Sequence, residues 1–271
     1  MNRPTSLKYQ SLLTKGFTLI ELVSVLVIVG IVVAIGSNFV VSTVNSYGQT
    51  EKRSKLVARG RASLEQMTRQ LRNALPNSLR VSASGNCIEY LPVIGGANYI
   101  GQLADTQNGA SATSSISTSP FNLDLGSAQH VVVAALSTSE LYTGAATAAR
   151  ADIGTLGSSP YTTVPLAIGH RFVRNSVNNR LFISDDPKRF CFVSGSIVQY
   201  QNYGLDTGNL DDSNPGGDLL TLSEGIFASG NVFVLSAGSQ DRNTAVTITL
   251  GFAERGEQIT LDSKVLVRNV P

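Results

Sequence analysis

Gly16-Phe17-Thr18-Leu19-Ile20-Glu21-Leu22-Val23 opens the stretch that decides the fold, and the apolar run behind it continues to Val44. Between Phe17 and Val44 the only ionisable side chain is Glu21. A helix of that span, at about 1.5 Å per residue, reaches roughly 42 Å, longer than the ~30 Å hydrocarbon core of a bilayer. These residues predict a membrane helix. A carboxylate one turn into such a run is costly without a partner, which makes Glu21 a candidate functional residue on physical grounds alone.

Beyond the apolar run, Val57, Gly60, Leu64, Met67, Leu71 and Leu75 recur at spacings of three and four, the mark of one apolar helix face. Pro76 disfavours helical backbone at the residue before it, so a helix continuing from Phe17 is expected to end at Leu75. Four segments follow: a basic leader at 1–16, a membrane helix at 17–44, an amphipathic stalk at 45–76 and a head at 77–271. Gly30 and Gly36 are weak points in the helix.

Charge is distributed unevenly along the chain. The leader carries Arg3, Lys8 and Lys15 without an acid; residues 51–80 carry eight basic residues against Glu51 and Glu65; residues 81–271 carry ten basic and sixteen acidic residues. The stalk is basic and the head acidic. With a net charge of +2 the whole chain is not a general nucleic-acid binder, and the basic stalk lacks the aromatic residues that single-strand binding needs. Lipid headgroups or acidic neighbouring heads suit it better. Charge alone leaves membrane orientation open, because Lys52, Arg53, Lys55, Arg59 and Arg61 behind the span outnumber the leader's three cations.

The head reads as strands. Arg80-Val81-Ser82 and Cys87 to Val93 flank a Gly85-Asn86 turn; Arg180 to Ile183 follows the Asn178-Asn179 turn; Arg189 to Val193 and Ser196 to Tyr200 enclose Ser194-Gly195. Short runs at His130-Val133, Leu219-Leu222 and Val232-Leu235 precede a final pair at Ala245-Phe252 and Gln258-Val267. Residues 101–119, rich in Ser, Thr, Ala and Gly, are expected to be an exposed loop, Ser139–Arg150 a short helix capped by Ser139, and Arg171 the start of a strand. One helix followed by many strands predicts an α+β fold in which the helix packs across antiparallel sheet.

The Gly16-Phe17-Thr18-Leu19-Ile20-Glu21 motif, behind a short basic leader and ahead of a hydrophobic helix, resembles the N-terminus of the type IV pilin superfamily. The resemblance implies a pilin-like α+β fold and assigns roles residue by residue. A membrane prepilin peptidase would cut after Gly16 and methylate the new terminus at Phe17, and Glu21 would pair with the N-terminal amine of a neighbouring subunit. It also places the head outside the inner membrane. More narrowly, Met67 to Ser78 and Val267 to Pro271 are similar to minor pilins of the mannose-sensitive haemagglutinin (MSHA) pilus. The implied role is noncatalytic, priming pilus assembly from a tip complex. Its partners would be other minor pilins, the major pilin, the inner-membrane assembly platform and the lipid bilayer, with no cofactor. A tip adhesin using the loops at 101–119 and 206–218, or a minor pseudopilin of type II secretion, are the alternative readings.

With the head in an oxidising compartment, the even pair Cys87 and Cys191 is expected to form a disulfide, the alternative being two buried thiols. Asp206, Asn209, Asp211, Asp212, Asn214 and Asp218 supply hard oxygen atoms, but not at EF-hand spacing. A solvated loop is the reading and calcium its alternative; no metal site is assigned. His130 and His170, the two histidines, stand beside no Gly-x-Ser-x-Gly or comparable nucleophile motif, so no catalytic set is assigned.

Overall fold

The computed structural model describes residues 16–123, 126–236, 238, 243–254 and 256–267. Nearly all of the leader and the terminal residues 268–271 lie outside them. The chain divides into a unit ending at Glu51 and a second beginning at Lys52. Helix α1, Leu19–Arg72, contributes to both.

In the first unit the apolar side chains of α1 are exposed on every side, as a bilayer span requires, and the helix is long and apolar enough to cross a membrane. Three hydroxyls in the run bond back to the helix: Ser24 Oγ donates to the Ile20 carbonyl at 2.8 Å, Ser37 Oγ to that of Ala34 at 3.0 Å and Thr43 Oγ1 to that of Phe39 at 2.8 Å.

In the second unit the strands run in the order β1 Arg80–Val81, β2 Cys87–Tyr90, β3 Val93–Asn98, β4 Thr113–Phe121, β5 His130–Val132, β6 Thr147–Ala148, β7 Arg150–Asp152 and β8 Tyr161–Phe172. They continue with β9 Arg180–Ser184, β10 Lys188–Val193, β11 Ser196–Gln201, β12 Asp218–Glu224, β13 Ile226–Phe227, β14 Phe233–Ser236, β15 Thr244–Glu254 and β16 Glu257–Val267. Among the described residues these form four sheets: β1-β2-β10-β11-β12; β13, β14 and β16 around β15; β3-β9-β5-β7; and β4-β8-β6. All pairings are antiparallel except β6 with β8. The architecture is α+β and consistent with a type IV pilin-like protein.

The α1 stripe decides the main core. Leu56, Leu64, Met67 and Leu71 pack against Ile88, Phe190 and Ile197 of the first sheet and against Val246, Ile248, Phe252 and Val265 of the second. Gly60 lets the helix approach closely, since a Cβ there would lie 2.4 Å from Leu261 Cδ1 and 2.8 Å from Phe252 Cε2. A separate core joins the third and fourth sheets through Ile116, Val131, Val164, Phe172, Leu181 and Ile183.

Five elements depart from the sequence reading. The helix ends at Arg72 rather than Leu75, because Leu75 N donates to the Leu91 carbonyl at 2.7 Å and Val93 N to that of Asn73 at 2.9 Å. The strand expected over Cys87–Val93 breaks at Leu91-Pro92, where proline offers no N–H and the chain passes from the first sheet to the third. The loop expected at 101–119 is strand β4 from Thr113 onward, burying Ile116, Thr118 and Phe121 against β8, which ends at Phe172 where a strand was expected to begin. The helix expected over Ser139–Arg150 is only a 3-10 turn at Thr138–Glu140, followed by β6 and the start of β7. There Arg150 ties down the carbonyls of Leu141 and Thr143 from the strand side, and Ser137, not Ser139, occupies the cap position.

Gly60→Val should destabilise the folded head by about 1–3 kcal/mol through overpacking against Phe252. Gly48→Ala, in open space on the same helix, should leave stability unchanged or raise it by up to about 1 kcal/mol. Chemical denaturation of the detergent-solubilised chain, followed by tyrosine fluorescence, measures both.

Candidate functional site

At the start of α1 the backbone of Thr18 is the first outside the helix, and its carbonyl accepts from Leu22 N at 3.2 Å. Glu21 N–H donates to Thr18 Oγ1 at 3.3 Å, while Thr18 N–H donates to Glu21 Oε2 at 3.4 Å and Thr18 Oγ1 lies 3.3 Å from the same oxygen. Thr18-Leu19-Ile20-Glu21 is thus a reciprocal capping box, which supplies partners for backbone N–H groups that a helix start leaves unpaired. The carboxylate also sits where the helix dipole favours negative charge. The sequence reading singled out Glu21 and missed Thr18, although the Thr-x-x-Glu spacing was legible. Gly16 and Phe17 precede the helix and are exposed, Phe17 by 84%.

In the head, Cys87 and Cys191 face each other directly across β2 and β10 and are joined by a disulfide, their Cα atoms 4.2 Å apart. Both are wholly buried. The bridge closes residues 104 apart in sequence, for which chain entropy gives on the order of 4–5 kcal/mol as an upper figure.

Two residues along β2 from Cys87, Glu89 is buried with two guanidinium groups. Its Oε1 accepts from Arg189 Nη2 at 3.0 Å and from Tyr203 Oη at 2.8 Å, and its Oε2 from Arg80 Nε. The same arginines reach into the oxygen-rich loop: Arg80 donates to the carbonyls of Asp206 at 2.9 Å and Gly208 at 2.6 Å, and Arg189 to that of Ser213 at 3.1 Å. Asp206 and Asp211 lie 3.5 and 3.9 Å from Arg189. Asp212 accepts from Ser84 at 2.6 Å, and Asp218 from Asn202 at 2.7 Å. The loop's carboxylates therefore serve as anchors to strands and turns. Burial and the neighbouring Glu89 carboxylate push the Tyr203 phenol far up, so it stays a donor.

The two histidines are apart. His130 Nδ1 lies 2.8 Å from Asp152 Oδ1 and 3.0 Å from Arg150 Nη1, and its Nε2 lies 3.2 Å from Asp186 Oδ1. Ser184, opposite His130 across β5 and β9, is wholly buried, and its hydroxyl has no hydrogen-bond partner among the described residues. Arg150 also pairs with Asp152. The hydrogen bond with His130, with the Arg150 charge adding to it, holds the Asp152 carboxyl down to about 2. His170 lies 3.0 Å through Nε2 from the Ala148 carbonyl, and burial lowers its pKa. These arrangements lock strands to one another.

Residues 13–37 match the family described as the prokaryotic N-terminal methylation motif. No curated protein and no solved structure matches the chain. The matched segment includes the Gly16-Phe17 junction and the Thr18–Glu21 box, and it leads an antiparallel β-rich chain. Together these support a type IV pilin or pseudopilin, a structural rather than catalytic class. The motif implies processing by a prepilin peptidase and handling by pilus-type assembly machinery, and with the apolar helix it supports membrane anchoring.

Glu89→Ala should cost roughly 3–5 kcal/mol by leaving Arg189 buried without its carboxylate, read as a lower denaturation midpoint. The depressed Asp152 carboxyl contributes stability that is fully present above its unfolded value of ~3.9 and is lost as pH falls toward about 2. Thermal melts of wild type and Asp152→Asn between those limits should converge as pH falls.

Proposed function

We propose that this chain is a minor pilin that helps prime assembly of a type IV pilus of the MSHA kind, acting in a complex at the fibre tip. The observation that carries the reading is the capped Glu21 carboxylate one turn from the Gly16-Phe17 junction, inside the matched methylation motif. Cleavage after Gly16 frees an amine at Phe17. Methylation leaves that amine cationic, and Glu21 of one subunit pairs with it on a neighbour. A subunit at the wrong height leaves both charges unpaired in an apolar medium, so pairing also sets register.

The narrower assignment rests on resemblance to MshO, and more distantly to PilW and the J pseudopilin of type II secretion. It is carried by Met67 to Ser78 at the end of the stalk and by Val267 to Pro271, of which 268–271 lie outside the described residues. A head of this size suits a tip better than a crowded shaft. In this role the protein starts as a single-pass inner-membrane protein with its head in the periplasm, and assembly carries it to the pilus tip at the cell surface.

In a deletion strain, surface fibres should be lost and should return with the wild-type gene but not with Glu21→Ala, as counted by electron microscopy. Normal fibres that fail to attach would instead make the head an adhesin. Normal fibres with lost protein secretion would place the chain in a type II system.

A further inference from the structure

Among the described residues, β16 and β12 each pair with one strand only, and their exposed edges are built differently. β16 pairs with β15 along its whole length and presents Asp262 and Lys264 in mid-strand, charges that deter a further strand from adding. β12, Asp218–Glu224, pairs with β11 alone, and among the described residues the backbone of 218–223 makes no hydrogen bond on its other edge. Its centre, Leu219-Leu220-Thr221-Leu222-Ser223, carries no charge and no proline; Leu219 is 54% and Leu220 49% exposed. Charges stand only at its two ends, Asp218 and Glu224, both exposed. Beside Leu220 lies a cleft of about 500 Å³, whose lining includes Gln66, Gln70, Gln199 and Gln201 along with Asp185 and Lys188. Gln70 and Gln199 hold each other at 3.1 and 3.2 Å. Tyr90 Oη also donates to Gln70 Oε1 at 2.7 Å, so these amides are held in place.

An open edge with an uncharged centre takes an extended polypeptide, whose backbone supplies the alternating donors and acceptors the edge lacks. The end charges decide which one. In the antiparallel self-pairing that matches all seven residues, Thr221 faces Thr221 and Asp218 of each copy faces Glu224 of the other, putting like charges opposite each other at both ends. The net acidity of residues 81–271 adds to that repulsion. A second copy of this chain is thereby disfavoured, and a strand with basic ends is favoured.

We propose that β12 is a strand-addition site for another polypeptide, which contributes an extended segment with an uncharged centre and a Lys or Arg near each end. Its side chains on the α1 side enter the cleft. The proposal does not rest on the priming role, since fibre formation and strand pairing are read by separate measurements.

The test uses the full chain in its own cells, with photoreactive benzoylphenylalanine in place of Leu219 or, as a comparison, Thr260 on β16. Cross-linked partners and attachment points are identified by mass spectrometry. The expected result is an adduct at position 219, and little at 260, with one other protein, attached in a segment with basic ends. Combining Asp218→Lys with Glu224→Lys should lower its yield by about tenfold at unchanged protein level, because both end contacts become repulsive. An adduct with a second copy of the chain, equal yields at both positions, a yield indifferent to charge reversal, or no adduct overturns the proposal.

Discussion

Helix α1 answers to two different solvents, and the rest of the molecule follows from that constraint. From Leu22 to Val44 apolar side chains lie on every face, which only lipid or a protein packed all round can accommodate. From Leu56 onward the same helix carries a single buried stripe, and two sheets take up that stripe from different directions. The register of β15 and β16 is fixed by it, since a shift of one residue would turn Ile259, Val265 and Val267 away from the helix. Gly60 marks the closest approach, where any side chain would collide with Phe252.

The charges inside the head serve a different end. Glu89 with Arg80 and Arg189 sits where apolar residues would pack more cheaply, because desolvating three ionised groups offsets most of their attraction. The arrangement does what an apolar cluster cannot: it gives two guanidinium groups enough donors to hold the carbonyls of Asp206, Gly208 and Ser213. A long loop without regular structure is thus fixed to the sheet from beneath, next to a disulfide that locks the same pair of strands. The acid-rich composition that suggests a cation site is satisfied by the protein's own arginines, serines and amides.

The sequence made the helix and the hairpins legible, and the reasons are local. An apolar run with one acid, a stripe at helical spacing, and the turns Asn178-Asn179 and Ser194-Gly195 each state their structure within a few residues. Asn179, Ser194 and Gly195 indeed take positive φ. What was not legible depends on distant partners. β4 is mostly Ser and Thr, with Ile116 and Phe121 its buried apolar residues, and only pairing with β8 makes it a strand. β8 contains Pro165, which argues locally against the element it belongs to. The stretch after Ser139 has helical composition, yet Glu140 is taken by Arg174 at 2.6 and 2.7 Å, and Arg150 is drawn into β7. At the N-terminus the reverse holds: the two members of the Thr18–Glu21 box lie three residues apart, and the partner that Glu21 is proposed to meet lies on another chain.

That box bears on how a carboxylate in a bilayer can be both stable and available. Left bare, Glu21 would carry the cost of an ion in hydrocarbon. Capping Thr18 N–H and accepting from its hydroxyl lowers that cost while the chain stands alone. In the proposed assembly role, the gain on meeting a neighbour's amine is therefore the difference between two paired states, not the full value of an ion pair. The bonds to Thr18 at 3.3–3.4 Å are long for a charged acceptor, which leaves most of the stronger interaction for the ammonium. In that proposed role, a weak cap would let the subunit wait in the membrane and still release its carboxylate when a neighbour offers a cation.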